Sequence, residues 1–159
     1  MAATLLERNM KNNAHKIGAV FYILWGVLHI VIGIVLFQQL LTVGTHGVMA
    51  TTGSAVPASQ IPHVDIPVLN GILWQYAWNV FWPGVFATVV GVRMNWKNDP
   101  VGYWYNLIVI TLVDSGFLVA IVIPGYITPR DGLPGPVFWL LAVVFSTIGY
   151  RQRKEFSGR

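Results

Sequence analysis

Four apolar runs set off by short polar stretches organise this chain, at about 17–41, 68–92, 102–123 and 134–150. About 20 residues at 1.5 Å rise per residue cross a hydrocarbon core of about 30 Å, so the first three runs predict helices that span easily. The fourth spans with help from Leu133 and its flanks. The first run is too long for the apolar core of a signal peptide and no small-residue cleavage pattern follows it, so it reads as a retained helix. The expected fold is all-α, an integral membrane four-helix bundle forming a single transmembrane domain over 1–159 with an outer loop at 42–67. That loop is rich in Gly, Thr, Ser, Ala and Pro and carries one acid, Asp65. It reads either as a cover over the outer mouth of the bundle or as a linker.

Composition agrees with the pattern. Of 159 residues, 55% are hydrophobic and 10% charged, too few polar side chains to cover a water-exposed globule. The chain is basic, with a net charge of +4, but its charges sit at the ends of apolar runs, where membrane topology accounts for them and no nucleic-acid partner is implied. Arg8, Lys11 and Lys16 precede the first run, Arg93 and Lys97 separate the second from the third, and Arg151, Arg153, Lys154 and Arg159 follow the fourth. Only Arg130 lies on the other side, which predicts both termini cytoplasmic. Trp96, Tyr103, Trp104 and Tyr105 mark the cytoplasmic interface and Tyr126 the outer one. With no cysteine, thiolate chemistry and disulfides are excluded.

Against this background the intramembrane polar residues stand out: His29 in the first run, Asn70, Gln75 and Asn79 in the second, Asn106 and Asp114 in the third. Asp114 is the only carboxylate in any run and lies near mid-helix, where a charge costs at least ~2.5 kcal/mol on the insertion scale, so it must face the protein interior. His29, also near mid-depth, is its natural partner. The alternative is a hydrogen bond that only holds helices in register. Tyr103 and Asp114, eleven residues apart, lie within about 20° on the helical wheel, with Asn106 close to that face.

On the second helix Asn70, Trp74 and Trp78 repeat every four residues. The stripe reads as core packing or as a ligand platform. Pro83 withdraws the amide that would bond the carbonyl of Asn79. Gly18, Gly26 and Gly33 read as sites of close helix approach, within the chain or between subunits. The turn-rich segment 124–136 should be stiff.

Taken in order, several of these pieces resemble the styrene oxide isomerases, small bacterial four-helix membrane proteins that convert an epoxide to an aldehyde with haem b as Lewis acid. His63 and the run Pro67-Val68-Leu69-Asn70-Gly71 resemble that family's haem-ligating histidine and active-site asparagine. Asp114 resembles its active-site aspartate, and Thr128-Pro129-Arg130-Asp131-Gly132-Leu133 a loop at the same distance beyond it. Leu6-Glu7-Arg8-Asn9-Met10 resembles the family's start. Where the family has a tyrosine, eight residues beyond the aspartate, this chain has Val122, and Tyr126, one helical turn on, is the residue that can substitute. The resemblance implies a multi-pass protein of a bacterial-type inner (cell) membrane and a small lipophilic epoxide as substrate. It also implies haem b on His63 as metal ligand, with Asn70, Asp114 and Tyr126 as catalytic residues and Trp74, Trp78 and His29 around the cofactor.

The chemistry itself needs an electrophile at the epoxide oxygen and a cavity that keeps water from the developing carbocation. Haem has a large flat surface to bury, so a homo-oligomer, a trimer or another cyclic form, is expected. Two other readings use the residues without a cofactor: a small proton-coupled transporter whose relay is His29 and Asp114, and a non-enzymatic membrane assembly subunit.

Overall fold

The computed structural model describes residues 13–64 and 66–157, with side chains described as far as Arg153. Arg8, Lys11, Lys154, Arg159, Asp65 and the Leu6-Glu7-Arg8-Asn9-Met10 motif therefore lie outside what is described. Every regular element among the described residues is helical. In chain order these are α1 (Ala14–Thr42), α2 (Thr45–Thr52), α3 (Pro67–Arg93), α4 (Pro100–Phe117), α5 (Pro129–Gly132) and α6 (Pro134–Ser157). A π turn, Leu118–Val122, prolongs α4, and short 3-10 turns occupy Ala58–Gln60 and Asn95–Lys97.

Three stretches are long and apolar enough to cross a membrane: Ala14–Thr42, Pro100–Val122 and Pro129–Arg153. Helix α3 has 27 residues, ample length, but it is not among those three. Asn70, Gln75 and Asn79, together with its Trp and Tyr residues, dilute its aliphatic content. The segment 42–67, expected as loop, instead contains α2 and a 3-10 turn.

Helix α1 is the central element, packing most extensively on α3 and α6, while α4 packs on the same two from the other side. Glycines make the approach close. A Cβ on Gly18 would lie 2.6 Å from the Ser146 backbone nitrogen in α6. A Cβ on Gly26 would lie 2.6 Å from the Gly84 carbonyl oxygen, and one on Gly33 2.6 Å from Phe81 Cβ, both in α3. These contacts are all within one chain, which decides between the two readings of the glycine positions.

Local signals fix the start of α4, and with it the depth of Asp114. Asp99 caps the helix, its Oδ1 accepting from the amides of Val101 at 2.8 Å and Gly102 at 3.3 Å, and Pro100 occupies the first turn. Asn98, at φ 55°, makes the preceding turn, and its side chain donates to the Gly149 carbonyl at 3.0 Å. A Cβ on Gly149 would in turn meet His15, so the start of α1, the α3–α4 turn and the last turns of α6 share one end of the molecule. That end carries Lys16, Arg93, Lys97, Arg151 and Arg153. At the opposite end Asp131 Oδ2 accepts from Ser54 Oγ at 2.8 Å and Thr128 Oγ1 at 2.7 Å, strapping the segment after α2 to the start of α5.

Candidate functional site

One cavity coincides with the polar residues that the bilayer should exclude. It measures about 450 Å³ and is lined by His29 of α1, Tyr76 and Asn79 of α3, Asp114 of α4, and Asp131 and Gly135 near the start of α6, with apolar side chains between them. Asp114 is fully buried and His29 only 9% exposed.

The two do not bond each other directly. Trp25, fully buried in α1, stands between them: its indole Nε1 donates to Asp114 Oδ2 at 3.0 Å, and its carbonyl accepts from His29 Nδ1 at 2.9 Å. A carbonyl only accepts, so in the neutral ring the proton sits on Nδ1 and Nε2 is left as an acceptor. The His29 ring stacks on the Trp25 indole with centroids 3.6 Å apart. Asp114 Oδ1 has no hydrogen-bond partner. Asn106 Oδ1 and Thr52 Oγ1 are likewise buried without a partner, and of the three residues only Asp114 lines this cavity.

The helical register explains how these groups meet. Positions 103, 106, 110 and 114 all fall on the buried face of α4, spaced by three and four residues. Tyr103 and Asn106 share that face, yet they are used elsewhere. Tyr103 stacks on Tyr150 at 4.3 Å, and Asn106 Nδ2 donates to Asn95 Oδ1 at 2.9 Å. The π turn directly after this face, which contributes Ala120 and Ile121 to the cavity, is of the kind often found beside functional sites.

The cavity is not closed. Asn79 of α3, Gly116 of α4, Ala120 of the π turn and Asp131 of α5 line it and are also exposed on the surface, so it reaches the surface between α3 and α4 and also at the end of the molecule that carries Asp131.

The other residues singled out in the sequence lie apart from it. His63 and Asn70 are exposed and line a separate pocket of about 250 Å³ with Val43, Gly44, Thr45, His46 and Val64. The rings of His63 and His46 stack there with centroids 3.8 Å apart. Trp74 packs on Phe37, and Trp78, 56% exposed, packs on Trp82. Tyr126 is 50% exposed and lines a third pocket, beside α2, which adjoins the Asp114 cavity through the shared Tyr76 and Ile121. A haem on His63 would find the His46 ring stacked on its ligand and, among the described residues of this pocket, only Val43 and Val64 as apolar side chains, since neither Trp74 nor Trp78 lines it. The residues present do not fit haem without a second surface.

Trp25 did not stand out in the sequence, and Gly135 only as part of the turn-rich segment 124–136 and of the loop that resembles the isomerases'. Trp25 precedes His29 by four residues and so shares its helix face, which is the one local signal that pointed to it. No protein-family model, curated protein or solved structure matches this chain.

Proposed function

We propose that the protein is a multi-pass membrane isomerase that rearranges a small lipophilic epoxide to a carbonyl compound in the Asp114 cavity. The observation that carries this reading is the fully buried Asp114 carboxyl, whose Oδ1 has no partner and which lines a largely apolar cavity. In this reading all four long helices span the bilayer as a four-helix bundle with both termini cytoplasmic, in keeping with the clustering of Lys16, Arg93, Lys97, Arg151 and Arg153 at one end. The opening between α3 and α4 then faces lipid and admits a substrate already dissolved in the membrane.

Asp114 acts as general acid, holding its proton on Oδ1 and passing it to the epoxide oxygen. The carbon–oxygen bond breaks with its electron pair going to oxygen, and a hydride migrates from the hydroxyl-bearing carbon to the adjacent cation. The protonated carbonyl product then returns the proton to Asp114, so no co-reactant is consumed. The Trp25 N–H held on Oδ2 steadies the carboxylate formed in between. His29 Nε2 accepts from the hydroxyl formed when the ring opens, and the apolar walls hold the body of the substrate and keep water from the cation.

The link between His29 and Asp114 runs through Trp25, and an indole N–H donates but does not relay protons, which favours an acid site over a transmembrane proton relay. Haem b on His63 belongs to this proposal only in a homo-oligomer, where a second copy of the chain supplies the walls; the acid chemistry of Asp114 does not depend on it.

The test is incubation of the purified protein in nanodiscs with an aryl epoxide, with product analysis and an absorption spectrum. Aldehyde without diol, lost in Asp114→Asn, is the expected outcome. A Soret band that disappears in His63→Ala would add the haem. Absence of aldehyde from haem-replete wild-type protein, with proton flux across proteoliposomes, would replace the isomerase by the transporter.

A further inference from the structure

The polar end of the cavity is bounded by a residue with no side chain. A Cβ built on Gly135 would lie 3.4 Å from His29 Cε1, 3.9 Å from Asp114 Oδ1 and 3.9 Å from Trp25 Nε1. These are ordinary contact distances. Gly135 therefore differs from Gly18, Gly26 and Gly33, where a Cβ would strike a neighbouring helix at 2.6 Å. No neighbouring helix forbids alanine at 135, although a Cβ on the residue before Pro136 restricts the helical conformation, so the glycine also eases the start of α6. What the glycine preserves is a gap of about methyl size beside the three polar groups.

Gly116 is a second case. It lies on the rim of the opening between α3 and α4, and a Cβ there would meet nothing within 4 Å. Its lack of a side chain leaves the lateral entrance wide. Small residues alone would mean little, but here they adjoin the buried, unpartnered Oδ1 of Asp114.

We propose that Gly135 and Gly116 are the specificity-determining residues of this cavity: Gly135 reserves the gap that receives the oxygen-bearing end of the ligand, and Gly116 sets the girth of the apolar body that enters from the membrane. The inference rests on the ligand site at Asp114 described above, and its geometric part does not require that the reaction be an isomerisation. It predicts a ligand slender at its polar end and apolar elsewhere, which Gly135→Ala excludes at the head and Gly116→Leu at the body.

Carbodiimide labelling tests this without turnover. Dicyclohexylcarbodiimide, bulky and membrane-soluble, and the slimmer diisopropylcarbodiimide react with protonated carboxyls, and the modified residue is read by peptide mass spectrometry on the intact protein in nanodiscs. Both reagents should modify Asp114 in the wild type. Gly135→Ala should slow both by about tenfold or more, whereas Gly116→Leu should slow the dicyclohexyl reagent by that factor and leave the slimmer one within about twofold. Wild-type labelling rates in Gly135→Ala, or no labelling of Asp114 in the wild type, would overturn the inference. If Gly135→Ala does not fold, an equal effect of Gly116→Leu on both reagents overturns it too. Labelling that follows the prediction in a protein that makes no aldehyde would leave the specificity residues standing and remove the isomerase. Aldehyde formation unchanged by Gly135→Ala would do the reverse.

Discussion

At the scale of single residues, the site depends on how one carboxyl is satisfied. Asp114 has one oxygen bonded to Trp25 and one without a partner. Asp114→Asn keeps the shape and removes the acid, so expression and oligomeric state should persist while turnover falls by at least about tenfold, equivalent to ~1.4 kcal/mol. Asp114→Leu should lose activity equally and cost about 1–3 kcal/mol of stability, because the buried Trp25 indole N–H is left without its acceptor. Wild-type rates in both variants would make Asp114 a structural residue. Trp25→Phe takes the donor from Oδ2 and leaves a buried carboxyl wholly unpaired, at a cost of about 1–3 kcal/mol. It should therefore lower the melting temperature in detergent, and Trp25→Phe combined with Asp114→Leu should recover most of that loss. A double variant no more stable than Trp25→Phe alone would show that the indole acts through packing rather than through its hydrogen bond.

At the scale of elements, glycines divide by what surrounds them. Gly26 of α1 and Gly84 of α3 face each other: a Cβ on Gly84 would lie 2.7 Å from the Gly26 carbonyl. Gly26→Ala must push α1 and α3 apart, and overpacking of this kind costs about 1–3 kcal/mol, whereas Gly116→Ala should be neutral or slightly stabilising. Thermal unfolding of the two variants side by side checks this, and equal melting temperatures would refute it. At the opposite end from the basic cluster, the strap formed by Ser54, Thr128 and Asp131 also orders the backbone: the Thr128 amide donates to Ser54 Oγ at 3.1 Å and the Ala55 amide to the Tyr126 carbonyl at 3.0 Å. Asp131 itself lines the cavity. Asp131→Ala should raise hydrogen exchange at the Ala55 and Thr128 amides while exchange in α1 stays unchanged. Uniform exchange in wild type and variant would mean the strap contributes nothing to order there.

For the whole molecule, the all-helical class is legible in the chain, and the site is not. Cysteine placed at the exposed position Ala55 should react with an impermeant thiol reagent only from outside, and cysteine at Lys97 only after the cytoplasmic face is opened; reaction of Ala55→Cys from the cytoplasmic side alone would invert the topology. That the elements are helical and that three of them are apolar enough to span can be read from the chain, because hydropathy and the absence of charge are local properties of each run. So can the placement of Asp114 inside, because lipid does not tolerate a carboxylate. Which groups meet Asp114 depends on the fold. Trp25 and Asp114 are 89 residues apart in sequence, and their hydrogen bond depends on the packing of α1 among α3, α4 and α6 rather than on any local pattern. The same packing leaves His63 and Asn70 in a surface pocket and Trp78 exposed on α3, although the resemblance to the styrene oxide isomerases had implied one shared centre with Asp114. Helical periodicity places residues on a face, but which neighbour that face meets is set by long-range contacts such as the glycine crossings of α1.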